Sequence, residues 1–175
     1  MAGTTIRSDT PRTWVFGDNV TTDSMAPGAY MKLGVEDIAR HCLESVEPAF
    51  AASVAPGDYV VGLRNFGAGS SREQAPAALR HLGVAAVLAN SYGGIFYRNA
   101  INLGLPVLVC ADTARIRPED ILDLDAEAGK LHILNTGVTL ACEAIPPHLM
   151  AMLRDGGLLP HLKKRFAAQR AGGAA

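Results

Sequence analysis

The sequence is poor in aromatic residues, has no excess of charge of either sign and contains no long apolar run. Aromatic side chains make up 6% of the 175 residues, and there is one Trp. The 16 Lys and Arg nearly balance the 17 Asp and Glu, which leaves a net charge of −1. Nucleic-acid surfaces and polybasic membrane patches need clustered positive charge, and a membrane span needs roughly 18 uninterrupted apolar residues. We therefore expect neither nucleic acid nor a membrane as a partner.

Cysteine is also scarce, and its spacing argues against a metal centre. Cys42, Cys110 and Cys142 are odd in number and widely separated, with no CxxC pair and no spacing typical of cluster ligands. The five histidines are scattered and do not pair on one helical face. We expect three structural thiols and a chain that binds no metal or cofactor by itself.

Length and the character of the first residues set the domain organisation. A chain of 175 residues fits one domain, residues 1–175, that buries its own core without disulfides. We expect the core to span about residues 12–166, with residues 1–11 and 167–175 as flexible tails. Residues 1–13 are polar and lack the apolar stretch of a secretory signal, which predicts a cytoplasmic protein.

The order of apolar runs and turn residues predicts an α/β fold. Strands and helices alternate from residue 59 to residue 110, which is typical of parallel strands joined by crossovers. Residues 21–33 contain Pro27 and Gly28 without a clean period and predict a long ordered loop. The predicted strands are 12–16, 59–63, 84–89, 106–110 and a hairpin of 131–134 with 138–142; the predicted helices are 34–43, a segment ending near 81, 95–103, 147–154 and 158–166.

Residues 65–76 combine features suited to binding an anion. Glycines follow a strand, and polar side chains stand where a helix is predicted to begin. A helix N-terminus presents free N–H groups and a partial positive charge, and Arg72 adds a bidentate partner for a carboxylate. A structural alternative stays open, because Ser71 and Gln74 match a capping box that needs no substrate.

Three blocks of sequence, in order, resemble one protein family. The GSSRE run at residues 69–73 resembles the motif of the aconitase superfamily's mobile domain, and residues 65–79 resemble the NFGxGSSREHAPxAL stretch of isopropylmalate isomerase small subunits. Residues 17–30 resemble the GDNxxTDxIxPxxY opening, and residues 91–106 resemble the SFAxIFYRNAINxGLP block. The resemblance spans about residues 14–166, nearly the whole chain.

The resemblance implies a fold, a reaction and a partner. The fold would be a swivelling β/β/α domain, a barrel-like mixed sheet flanked by helices. The reaction would be dehydration and rehydration of a hydroxy di- or tricarboxylic acid by a hydro-lyase of the 3-isopropylmalate dehydratase type. A large partner subunit would carry a 4Fe-4S cluster, whereas the small subunit binds none.

More than one substrate, and a non-catalytic role, are compatible with the sequence. Isopropylmalate in leucine biosynthesis comes first; homoaconitate, 2-methylmalate (citramalate) and 2,3-dimethylmalate are the other candidate substrates. A non-catalytic, homo-oligomeric anion-binding protein is the alternative from another class. The isolated chain could in either case form a homo-oligomer.

The resemblance also implies roles for individual residues. Ser70 aligns with the catalytic base, and Ser71 and Arg72 align with residues that hold a substrate carboxylate. Asp23 aligns with an acidic residue near the reacting centre, and Thr22 beside it is a candidate substrate contact.

The loop at residues 30–33 is where the family would read the substrate's γ-substituent. There Lys32 favours a carboxylate, although a solvated lysine is an equal alternative. The sequence departs from the family pattern at Ala68, at Gln74 and at Gly93-Gly94, and the two glycines predict a more mobile turn.

Overall fold

The computed structural model describes residues 10–172 and divides the strands between two sheets. The strands are β1 Thr13–Val15, β2 Tyr59–Val61, β3 Ala86–Ala89, β4 Val107–Val109, β5 Leu122–Asp125, β6 Lys130–Ile133 and β7 Val138–Ala141. The helices are α1 Thr22–Met25, α2 Val35–Ala39, α3 Phe50–Ser53, α4 Gln74–His81, α5 Gly94–Asn102, α6 Pro147–Arg154 and α7 Leu158–Gly172, with 3₁₀ turns at Gly28–Tyr30 and Thr113–Arg115. The α/β class with flanking helices is confirmed.

Four strands form a parallel sheet in the order β1-β2-β3-β4. All four residues of β3 are buried, as expected for a central strand with both faces covered. The register places Val60 opposite Trp14 on one side and Val87 on the other. Because all four strands run in the same direction, the loops that follow them leave from one edge of the sheet. The predicted crossover topology is confirmed.

The remaining strands form an antiparallel sheet in the order β5-β6-β7. The hairpin of β6 and β7 was predicted, and Ile133 pairs with Val138 next to its turn. Strand β5 was not predicted, although Leu122 is buried and Asp123 and Asp125 are exposed. Alternation of this kind indicates a half-buried strand, but two aspartates in four residues oppose the strand propensity that identified the others.

Several helical segments differ from their predicted structure. Helix α2 ends at Ala39 instead of near Leu43, and α3 was not predicted. The predicted loop at residues 21–33 contains α1, because the Thr21 hydroxyl accepts a hydrogen bond from the Ser24 N–H at 3.2 Å and caps the helix. Helix α7 continues to Gly172 instead of ending near Phe166, since Ala, Gln and Arg are good helix formers. Of the two predicted tails, residues 1–9 and 173–175 lie outside the described residues.

A buried carboxylate fastens the start of β1 to the turn before β2. Asp58 is fully buried and accepts hydrogen bonds from the Arg12 N–H at 2.8 Å, the Trp14 Nε1–H at 3.0 Å and the Ala55 N–H at 3.0 Å. A buried carboxylate is tolerated when N–H donors surround it in this way. The contact fixes the first strand on its neighbour, and thereby the loop that leaves β1.

The cysteines contribute to packing and do not converge on a metal centre. Cys42 and Cys110 are buried and Cys142 is half-buried. A hydrogen bond from the Cys142 thiol lowers the pKa of the Cys110 thiol. Among residues 10–172 no group of three or more His, Cys, Asp or Glu could hold a metal ion. Within the same residues, no helix has the length and apolar character needed to cross a membrane.

Candidate functional site

Three loops that leave the parallel sheet at one edge form the candidate site. The first loop (residues 16–26) follows β1, and the second loop (residues 62–73) follows β2. Backbone hydrogen bonds join them, from the Gly67 N–H to the Val20 carbonyl at 2.7 Å and from the Thr22 N–H to the Ala68 carbonyl at 2.9 Å. The parallel pairing of β1 and β2 therefore resumes beyond the ends of both strands, with Thr21 bridged to Ala68.

The third loop (residues 90–93) follows β3 and lies on the other side of the second. The Phe66 N–H donates to the Ser91 carbonyl at 2.9 Å, and the Gly93 N–H donates to the Phe66 carbonyl at 2.8 Å. All three sequence blocks are thus brought side by side, with the glycine-rich block in the middle.

The crossing of the second and third loops requires glycine at residue 93. A Cβ at Gly93 would lie 2.6 Å from the Gly67 carbonyl oxygen, well inside van der Waals contact. Gly94, the first residue of α5, has open space at the same position. The prediction that the two glycines make the turn more mobile stays a prediction, and the structure shows that Gly93 permits a close backbone contact.

A tyrosine that was not predicted as a site residue anchors the third loop. The Tyr92 hydroxyl lies 2.9 Å from the carbonyl oxygens of both Val87 and Leu108, which belong to β3 and β4. Burial raises the pKa of Tyr92 well above its ordinary value, so the phenol remains a hydrogen-bond donor. In the sequence, Tyr92 could have been noticed because it stands where the family block has Phe.

The two serines of the second loop are exposed and precede the helix. Helix α4 begins at Gln74, and no side chain among residues 10–172 caps it. The capping box predicted for Ser71 and Gln74 is therefore wrong. Pro76 explains the start point, because it takes the third helical position, where a missing N–H costs no helical hydrogen bond.

Several backbone donors of the second loop point to no acceptor. Within residues 10–172, no hydrogen bond is made by the backbone N–H groups of Ser70, Ser71 and Glu73. Together with the partial positive charge at the start of α4, these groups form an exposed edge suited to an anion. Neither serine hydroxyl has a hydrogen-bond partner in the described part of the chain.

Arg72 is held by the first loop. Its Nη1 donates to the Asp23 carboxylate and to the Ala26 carbonyl, the latter at 3.0 Å. The Arg72 side chain is 22% exposed, whereas that of Asp23 is 59% exposed. Asp23 and Arg72 were predicted as site residues from separate blocks, and the structure joins them in an ion pair. The pair fixes one end of the guanidinium and leaves its other donors available.

Thr22 lies beneath the second loop and not at its surface. The residue is 1% exposed, and its hydroxyl oxygen has no hydrogen-bond partner within the described residues. A Cβ at Gly69, where φ is +117°, would lie 3.0 Å from that oxygen. The hydroxyl therefore supports the backbone of the serine-bearing loop from below.

Lys32 is separate from this cluster. It is exposed and makes no hydrogen bond or ion pair with any residue between 10 and 172. The turn before it does approach the cluster, since a Cβ at Gly28 would lie 3.9 Å from the Arg72 Nη2. Tyr30 is fixed by stacking on His41, with ring centroids 3.6 Å apart. The structure thus brings Ser70, Ser71, Arg72, Asp23 and Thr22 together and leaves Lys32 on a neighbouring exposed turn.

Comparison with known proteins gives the same assignment over most of the chain. Residues 35–112 match the Aconitase C-terminal domain family. The chain is 39% identical over 160 residues to a 3-isopropylmalate dehydratase small subunit from Heliobacterium modesticaldum, covering 90% of this chain and 96% of that protein. It is 44% identical over 154 residues to the methanogen homoaconitase small subunit of Methanothermobacter thermautotrophicus, covering 87% and 89%. The chain belongs to the 3-isopropylmalate dehydratase small-subunit family.

A solved member of this family has the same fold. The crystal structure of a 3-isopropylmalate dehydratase chain from Methanocaldococcus jannaschii superimposes with a TM-score of 0.87 at 38% identity, covering 93% of this chain and 98% of that one. The small subunit of an isopropylmalate/citramalate isomerase from the same organism is 42% identical over 158 residues, covering 89% and 94%. The names of these relatives include isopropylmalate, homoaconitase and citramalate, so identity near 40% does not distinguish the substrates.

The two adjacent glycines of the third loop provide a matched pair of variants. Gly93→Ala should lower the free energy of unfolding by about 1–3 kcal/mol, because its methyl group meets the Gly67 carbonyl oxygen. Gly94→Ala should be neutral or stabilising by up to ~1 kcal/mol, because it adds a good helix former in open space. Urea denaturation of both variants measures the difference. Equal stabilities would show that the second and third loops are not in contact.

Proposed function

We propose that this chain is the small subunit of a cytoplasmic hydro-lyase that isomerises a hydroxy di- or tricarboxylic acid, with isopropylmalate in leucine biosynthesis as the first candidate. The observation that carries the proposal is the meeting of Ser70, Arg72 and Asp23 where the three loops run together. A serine, a fixed guanidinium and unpaired backbone N–H groups suit a carboxylate substrate that must lose a proton.

The proposed site needs a second protein to be complete. Ser70 and Ser71 are exposed, so nothing in the described part of the chain excludes water from them. The family implies a large subunit that carries a 4Fe-4S cluster, and residues 10–172 of this chain offer no ligand group for it. In the assembled enzyme, the cluster would supply Lewis-acid chemistry at the departing hydroxyl group. The contributions of the small subunit would be the base and the grip on a carboxylate.

Ser70 is the proposed base. Its oxygen would take the proton from the carbon next to the one that bears the hydroxyl group, and return it on rehydration. A serine hydroxyl is a weak base in water, so its anionic form needs stabilisation. The unpaired N–H groups around Ser70 and Ser71 and the start of α4 supply positive potential at that position.

Arg72 is the proposed carboxylate ligand, and the first loop sets its direction. Nη1 is occupied by Asp23 and the Ala26 carbonyl, which leaves Nε and Nη2 for a bidentate contact. Asp23 acts in this scheme by holding the guanidinium within the site. Thr22 acts through the Gly69 backbone and not by touching the substrate, because its hydroxyl is buried.

The geometry of the second loop does not favour the alternative of a non-catalytic protein that keeps the motif as a helix cap. A non-catalytic protein would keep Ser71 as a helix cap, but α4 begins at Gln74 with no side-chain cap from the described part of the chain. Loss of the Ser71 hydroxyl should therefore cost no helix stability.

The first test compares Ser70→Ala with Ser71→Ala in the complex reconstituted with a large subunit. Ser70→Ala should lower kcat by ~10²–10⁴-fold, the usual contribution of a general base. Ser71→Ala should weaken binding and leave the midpoint of thermal unfolding unchanged, because the hydroxyl caps no helix. Steady-state kinetics on isopropylmalate, homoaconitate, citramalate and 2,3-dimethylmalate measures both effects and identifies the substrate. Near-normal turnover by Ser70→Ala would remove the proposed base.

A second test concerns substrate specificity. We propose that the Lys32 side chain contacts the γ-substituent of the substrate. Lys32→Val should shift the ratio of kcat/KM toward alkyl substrates by ~10-fold, because an unpaired ammonium next to an alkyl group is unfavourable. Isopropylmalate and homoaconitate are the substrates to compare, and Lys130→Val is the control at an exposed lysine on β6. If the ratio is unchanged, Lys32 is solvated and the large subunit selects the substrate.

A further inference from the structure

The outer part of α7 is an exposed basic helix with an apolar stripe. Every side chain from residue 163 to residue 170 is exposed. Leu159, Leu162 and Phe166 follow an i, i+3, i+7 spacing and so share one face of the helix. Leu159 is 69% exposed and Phe166 is 58% exposed, and they share this face with the half-buried Leu162. The fold of this chain leaves most of that stripe uncovered.

The same helix carries a net positive charge, whereas the rest of the chain is net negative. It carries Lys163, Lys164, Arg165 and Arg170, and residues 158–172 contain no Asp or Glu. The rest of the chain is left with 12 Lys and Arg against 17 Asp and Glu, a net charge of −5. Lys164 pairs with Asp155 at 2.5 Å, but Lys163, Arg165 and Arg170 have no ionic partner within residues 10–172.

An acidic groove elsewhere on the chain has the complementary character. It has a volume of about 410 Å³ and lies along β5, an edge strand, and α6. Asp123, Asp125 and Glu127 supply its negative charge, and Leu124 and Met150 supply apolar surface. Glu127 is paired with Arg154, whereas the Asp123 carboxylate makes no hydrogen bond or ion pair in the described part of the chain.

We propose that α7 of one copy docks in the acidic groove of a second copy, and that the isolated chain forms a two-fold dimer through two such contacts. Lys163 and Arg165 face the groove carboxylates, and Phe166 fills the apolar floor between Leu124 and Met150. Both complementary surfaces belong to this chain, so a second copy supplies everything that the contact needs. A two-fold axis forms the contact twice, and the association closes at the dimer. This inference is independent of the proposed catalytic function.

Sedimentation velocity of the full chain tests the dimer. In low salt the wild type should sediment as a dimer, and the dissociation constant should rise at least ~10-fold in high salt, which screens the charges. Lys163→Glu/Arg165→Glu and, separately, Asp123→Lys should each weaken the dimer by at least ~10-fold. The control Arg40→Glu/Arg117→Glu reverses two exposed charges outside α7 and should leave the dimer unchanged.

A mixture of the two weakened variants gives the sharper result. In a mixed dimer, the glutamates on α7 of the first variant meet the lysine in the groove of the second. The other contact joins a wild-type α7 to a wild-type groove. The dimer should therefore re-form when the two variants are mixed at an equal ratio. Circular dichroism checks that each variant is folded. A monomeric wild type, or a mixture that stays monomeric, would overturn the proposal. It would also be overturned if reversal of the α7 charges left self-association intact and instead weakened binding to a large subunit.

Discussion

The candidate site depends on backbone pairing that continues past the ends of the parallel strands. The hydrogen bonds of the Thr22, Gly67 and Gly93 N–H groups hold three separate loops at strand-like spacing. Because β1, β2 and β3 are parallel neighbours, their loops leave the sheet at the same edge and in the same order. The meeting of Asp23 with Arg72 follows from that register, since each side chain sits just beyond a paired segment.

This arrangement combines a rigid floor with an open rim. The floor contains buried groups, among them Thr22 under Gly69 and the phenol of Tyr92 against β3 and β4. The rim consists of the exposed Ser70 and Ser71, whose N–H groups have no acceptor in the described residues. Burying these unpaired N–H donors without an acceptor would cost free energy. A bound anion would supply that acceptor, so the rim suits an anionic ligand. A partner subunit would then complete the site by excluding water.

Sequence patterns predicted the parts of the fold that rest on local signals. The strands of the parallel sheet and the hairpin at residues 131–142 were identified because apolar runs and turn residues mark them. Strand β5 was missed because Asp123 and Asp125 mask its alternation. Family resemblance identified the residues of the site but not their contacts. The Asp23–Arg72 pair, the buried hydroxyl of Thr22 and the close approach of Gly93 to Gly67 depend on register between distant segments, which no local pattern encodes.

Residue-resolved amide hydrogen exchange tests the central claim most directly. In the isolated chain, the N–H groups of Thr22, Gly67 and Gly93 should exchange slowly, since each donates to a neighbouring loop. Those of Ser70 and Ser71 should exchange rapidly, and should become protected when a large subunit and a hydroxy acid are added. Rapid exchange at Thr22, Gly67 and Gly93, at the rate of Ser70 and Ser71, would contradict the account, because the three loops would then not be joined.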